Sequence, residues 1–322
     1  MSEFMFKVWF AEEREHFSYG EYEFIGAPFA PTKERFPLME SFLSYFYYED
    51  PQRNDAFRSM ADALKRYEDE REPALLDLVR RQLDELAERH IFYQALRLDW
   101  RHRIEQTLAL PDDTGAWYRF GWAMELMPTE LDYIHEQTQE LFEKVLDIDV
   151  DRKPIREKVA AFYTRKMLGG IGGTDYFRFD PLSLTCELIS PSVFVEALYA
   201  NQINDLFNYY LRTCILHEYP VRRCKNCGRW FVLTGHQGLE YCSRPFDEKG
   251  HTYRDVGAGL KWERKSKEDK PFMAYRKEYK QRFSRIKAGR ITNEEFLAWG
   301  ERARAKKQEC DEGTISLDEF RE

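Results

Sequence analysis

Two cysteines two residues apart and followed at once by glycine, Cys224-Lys-Asn-Cys227-Gly228, constrain this chain more than any other stretch. In that spacing both thiolates face one point, and the glycine permits a tight turn that aims backbone amides back at the sulfurs. Tyr241-Cys242 and His251 follow, so three of the six cysteines fall within 28 residues. The set predicts a Zn2+ site with Cys224, Cys227, Cys242 and His251 as ligands. His236, in the loop between the halves, is the alternative fourth ligand, and Cys214 and His217 lie just upstream. Three thiolates and one neutral imidazole close the coordination sphere, so the expected zinc is structural. Trp230, Phe231 and Tyr241 would supply the miniature core that such a metal staples.

A chain of 322 residues is long enough to bury a substantial core, as two units or as one core with an appendage. Apolar residues at 43% and charged residues at 33% fit a globular protein. No apolar run is long enough to span a bilayer, and no membrane partner is expected. The N-terminus lacks a basic start, a long apolar stretch and a small-residue cleavage site, so no signal peptide is expected. Cys186, Cys214 and Cys310 show no disulfide-like spacing, which points to a reducing, cytoplasmic setting.

The net charge of -8 is unevenly spread: residues 221–310 carry +11 and the remainder -19. A basic segment on an acidic body marks a surface for DNA or RNA, or two regions of opposite sign that attract each other.

Periodicity predicts a mainly α fold with small β elements (α+β). Phe4, Phe6, Val8 and Phe10, then Phe17, Tyr19, Tyr22 and Phe24, alternate as in a short hairpin or edge strands. Asn54-Asp55 caps a helix with Phe57, Met60, Ala61, Leu64 and Tyr67 on one face. Pro73 opens the next, with a Leu76, Val79, Leu83 and Leu86 stripe. Further helices are expected over 89–108, 129–146 and 154–168. The segment around 111–115 reads as a loop and the glycine-rich stretch 168–174 as a hinge, since it lacks the strand-to-helix setting and the lysine of a phosphate loop. Strands are expected over 175–189, including Tyr176 to Asp180, followed by one long apolar helix over 192–217. A basic amphipathic helix follows over 270–288, and Thr292-Asn-Glu-Glu295 is a capping box. Gly289 and Gly313 begin similar Gly-x-Ile turns, but the preceding ligand positions lack the carboxylates that calcium needs. The expected division is an acidic helical domain over 1–219, a zinc-ribbon-like module over 220–260 and a basic helical region over 261–322.

The stretch Arg223 to Phe231, then Tyr241-Cys-Ser-Arg244, then Gly250 to Gly257, resembles the C-terminal region of a family of uncharacterised bacterial and phage-associated proteins. The likeness covers roughly 221–305 and continues through Tyr275 to Lys280 and Gly289 to Phe296. That family has a fourth cysteine in a Thr-Cys step, and this chain has Thr252-Tyr253 there. The resemblance implies a zinc site and no particular activity. A fainter likeness to the terminal zinc module of certain bacterial transcription regulators also lacks a cysteine, at Cys242-Ser-Arg-Pro-Phe246.

Three functional classes follow. In the first, a nucleic-acid-binding accessory or regulatory protein presents six basic residues of the zinc segment, Arg222, Arg223, Lys225, Arg229, Arg244 and Arg254, to a phosphate backbone. Lys277, Lys280, Arg282, Arg285 and Lys287 of the following helices join them, and the interleaved aromatics would stack on single strands. In the second, the zinc is purely structural and the partners are proteins. An enzyme is the least expected, because no catalytic motif stands out and His90, His102 and His135 lie in helical stretches.

Overall fold

The computed structural model describes residues 3–22, 30–47, 51–110, 115–168 and 176–321, the side chains of residues 265–268 and 287 apart. The chain opens with a hairpin of β1 (Glu3–Ala11) and β2 (Arg14–Tyr22), then β3 (Thr32–Pro37). Glu12 and Glu13 turn the hairpin with both φ angles near +55°, the two-residue turn that matches strand twist. Helices α1 (Glu40–Phe46), α2 (Arg53–Glu70), α3 (Pro73–Arg89), α4 (Ile91–Ala109), α5 (Ala116–Leu141) and α6 (Ile155–Leu168) follow. A π-helical turn over Phe142–Leu146 extends α5. Then come β4 (Leu184–Ser190), β5 (Val193–Tyr199), α7 (Ile203–Leu216), β6 (Val221–Arg223) and β7 (Trp230–Val232). The chain closes with α8 (Tyr253–Glu268), α9 (Lys270–Lys287), α10 (Asn293–Asp311) and α11 (Leu317–Arg321).

The architecture is the expected α+β arrangement, with helices predominating over two small antiparallel sheets. The larger sheet runs β3-β2-β1-β5-β4. β1 is therefore its centre and not an edge, because β5 pairs along its second side through Lys7, Val8 and Trp9. Phe24 and most of the glycine-rich 168–174 stretch lie outside the described residues, as does most of the 111–115 loop.

Two expectations over 175–217 are corrected. Tyr176 to Asp180 is not a strand: Tyr163 donates to the Phe177 carbonyl at 2.6 Å and Asn208 to the Asp180 carbonyl at 2.8 Å, so side chains take the acceptors a neighbouring strand would use. The apolar run 192–217 is not one helix. Its first part, rich in β-branched and aromatic residues, is β5, paired on both sides. α7 starts only at Ile203, where the Asp205 carboxylate accepts from the Asn201 and Gln202 amides.

The stripes of α2 and α3 are buried as their spacing requires. Phe42 of α1 meets Phe92, Phe142, Phe207 and Tyr210 with ring centroids 5.2–6.4 Å apart, in an aromatic core where edge and stacked geometries alternate. Into this core Glu15 carries a fully buried carboxylate. It accepts from the Ser41 amide at 2.7 Å, the Ser41 hydroxyl and the Tyr210 hydroxyl, and burial pushes its pKa up to about 7. His90 is not inside a helix: it caps α4, its Nδ1 accepting from the Phe92 amide.

Two compact units divide the chain. Residues 1–224 with 228–239 form the first, and residues 225–227 with 240–322 the second. The first carries 28 Lys and Arg against 40 Asp and Glu, the second 21 against 17.

Candidate metal centre

β6 and β7 pair through Val221 with Val232 and Arg223 with Trp230, and the knuckle is the turn between them. The Cys224 amide donates to the Arg229 carbonyl and the Gly228 amide to the Cys224 carbonyl, both at 2.9 Å. Gly228 has φ +73°, and a Cβ there would meet nothing within 4 Å. Glycine is required by backbone conformation rather than by crowding. The Lys225 amide donates to the Glu240 carbonyl at 3.0 Å, which draws the segment bearing Cys242 alongside the knuckle. Gly257 serves a different end: a Cβ there would stand 2.4 Å from the Tyr241 ring, so glycine lets α8 close on that tyrosine.

The sulfurs of Cys224, Cys227 and Cys242 all lie within 4.8 Å of one another. Cys224 and Cys242 are buried and Cys227 half-buried. The Cys227 and Cys242 sulfurs are 3.7 Å apart, well beyond a disulfide bond. Two sulfurs bound at about 2.3 Å to one tetrahedral metal stand about 3.8 Å apart, so the donor set fits such an ion.

No imidazole joins the three sulfurs among the described residues. His251 is exposed and its Nδ1 sits 2.7 Å from Asp247 Oδ2, a contact that raises its pKa. The His236 Nδ1 accepts from the Gly238 amide at 2.9 Å. Upstream, His217 stacks on Tyr219, while Cys214 is buried in α7 with its thiol pushed up to about 12 by burial. Asp247 also accepts from the Lys249 and His251 amides, and Gly250 turns with φ +85°, so the His251 loop is shaped by its own carboxylate.

The six basic residues of the zinc segment fall into different settings. Arg222 forms a two-bond pair with Asp149 at 2.7–2.8 Å and donates to the Gln237 and Leu239 carbonyls. That side chain braces the loop after β7. Arg223 pairs with Glu143 at 2.8 Å over the Trp230 ring, and Lys225 pairs with Glu240, which Lys261 also reaches. Arg229 is exposed, with its guanidinium 5.3 Å from the Tyr47 ring centroid. Arg254 is exposed and Arg244 half-buried. The carboxylate partners Glu143 and Asp149 lie more than 70 residues away in sequence, and no local signal pairs them with the knuckle.

Residues 187–320 match a family of unknown function, DUF6076. The match takes in all three cysteines and the segment that resembles an uncharacterised family, and it carries no activity with it. No curated protein and no solved structure matches the chain.

Proposed function

We propose that this chain is a zinc-stapled nucleic-acid-binding protein of accessory or regulatory type. Cys224, Cys227 and Cys242 hold Zn2+, and the basic helices after them contact phosphate. The observation that carries the metal half is the 3.7 Å separation of the Cys227 and Cys242 sulfurs, with Cys224 beside them. Thiolate donors select zinc over hard cations such as magnesium or calcium. His251 is the fourth ligand of this reading. Asp247 already engages its Nδ1, which leaves Nε2 for a metal in the carboxylate–histidine–zinc pattern.

The nucleic-acid half is supported by the positive balance of the second unit and by exposed Arg229 and Arg254. Arg222 braces a loop and is dropped from the phosphate contacts. Elemental analysis of purified protein should give one zinc per chain, lost in Cys242→Ser and retained but weakened in His251→Ala. Protein that carries no zinc when refolded in its presence would sink the metal half. Salt-dependent binding to DNA or RNA tests the other half, and no binding at low salt overturns it.

A protein partner is the second reading, favoured by one observation. Tyr118, Trp122, Leu126 and Tyr133 lie on one face of α5 and are 39–58% exposed. Self-association or partner capture abolished by Trp122→Glu would support it.

A further inference from the structure

The second unit contains a groove of about 1040 Å³ bordered by α8, α9, α10 and α11. Eight of its lining residues are Lys or Arg, and one, Glu278, is acidic. A run of charge on one helix is usually a solvated face, but these cations converge from three helices on one concavity. Elsewhere in this unit lysines find carboxylates: Lys225 and Lys261 meet Glu240, and Lys307 meets Asp269 and Asp311. In the groove Arg282 has such a partner, Glu278 at 3.5 Å, and Arg321 has Asp318 at 3.3 Å. Arg276, Lys277, Lys280 and Arg302 make no ion pair with a described residue, so like charges are held together without internal compensation. That arrangement costs folding energy and is relieved by a polyanion.

The apolar part of the groove narrows the choice of polyanion. Trp262 and Met273 are each 40% exposed. The Arg276 guanidinium lies 4.1 Å from the Trp262 ring centroid, and that of Arg282 lies 4.8 Å from Trp299. Indole and guanidinium planes together are the surfaces on which unstacked bases rest. A duplex hides its base faces and presents a convex row of phosphates, which uses neither the concavity nor the rings.

We propose that this groove binds single-stranded nucleic acid, with Lys277, Lys280 and Arg302 on phosphates and Trp262 beside a base. The proposal rests on the nucleic-acid reading above and names its site and substrate class. DNA and RNA single strands share the chemistry, so both belong in the test.

The experiment measures binding of the zinc-loaded full chain to labelled oligothymidylate, to oligouridylate and to a duplex of equal length, across a salt series. Both single strands, or one of them, should bind more tightly than the duplex. Replacing Lys277, Lys280 and Arg302 together by alanine should make the slope of log affinity against log salt shallower by about 2, at about 0.7 per phosphate contact. Trp262→Ala should weaken single-strand binding about tenfold with the slope unchanged. The three-residue variant replaces surface cations only, and circular dichroism with zinc content checks its fold. Duplex binding as tight as single-strand binding, or a slope that the three-residue variant leaves unchanged, overturns the groove while leaving the broader reading intact. Equal competition by polyglutamate also overturns it. No binding to any nucleic acid at low salt overturns both.

Discussion

The two units are held together by different means. The first buries a continuous core of aromatic and aliphatic side chains from its sheet and seven helices. Among the described residues of the second, only Cys242, Gly257, Phe296 and Gly300 are buried. Its helices meet mostly through partly exposed rings instead, with Tyr275 stacked on Trp299 at 5.8 Å and Tyr279 edge-on to the buried Phe296 at 5.0 Å. A unit of this size with so little removed from water needs a covalent or metal staple, and two of the clustered thiols, Cys227 and Cys242, belong to it. The comparison teaches that sequence length alone does not make a core. A metal matters most where burial is least.

The largest test of that contrast is metal removal. A structural zinc contributes on the order of 10 kcal/mol to folding in small metal-dependent modules. Chelation should therefore open residues 240–321 to rapid hydrogen exchange while α2, α3 and α4 stay protected. Equal protection of both units after complete zinc removal would break the comparison. Next is Phe42→Ala, expected to cost about 3–5 kcal/mol in the first unit through the cavity it leaves among four rings. Denaturant melts followed by exchange should place the loss there and leave the second unit unchanged.

Glu15 sharpens the contrast further. Its pKa is raised from 4.5 to about 7 by burial, so the native state keeps a proton that the unfolded chain releases. The sign follows: this contribution is fully present below about pH 4.5 and is lost as pH rises toward 7, by about 3 kcal/mol in all. Glu15→Gln keeps the hydrogen-bonding shape without the ionisation. Relative to the parent it should gain stability steadily over that range, and parallel pH profiles would refute the assignment. The smallest effect is Thr292→Ala. Thr292 Oγ1 accepts from the Glu295 amide at 3.1 Å and Glu295 returns the bond at 2.8 Å, so losing the cap should cost about 1 kcal/mol. With a small total to draw on, the second unit should feel even that in its exchange rates.

What the sequence made legible was local. The α2 and α3 stripes, Pro73, the Thr292 capping box and the Cys-x-x-Cys-Gly knuckle each announce themselves within a few residues. β5 did not, because Val193 to Tyr199 is apolar at every position but Glu196, and such a run leading on into α7 reads as helix core. The glutamates at the β1–β2 turn give no glycine or asparagine signal despite their left-handed backbone. Arg222 and Arg223 looked like phosphate ligands because Asp149 and Glu143 reach them only through the fold. The groove cations from α10 and α11 were equally hidden, since a lysine's counter-ion is set by tertiary structure and not by composition.

The central place of β1 has a consequence for how the gene can be cut. The DUF6076 match begins at residue 187, inside β4, yet β5 within that match lies against a strand that starts at residue 3. A fragment starting at 187 would expose the edge of β5 as a free template for strand addition, and it should aggregate. Nor does a cut near the knuckle separate the units, because the chain leaves the first unit at 225, returns at 228 and leaves again at 240. The matched segment and the compact units therefore have different boundaries in this polypeptide, and the matched segment alone lacks the strand on which β5 pairs.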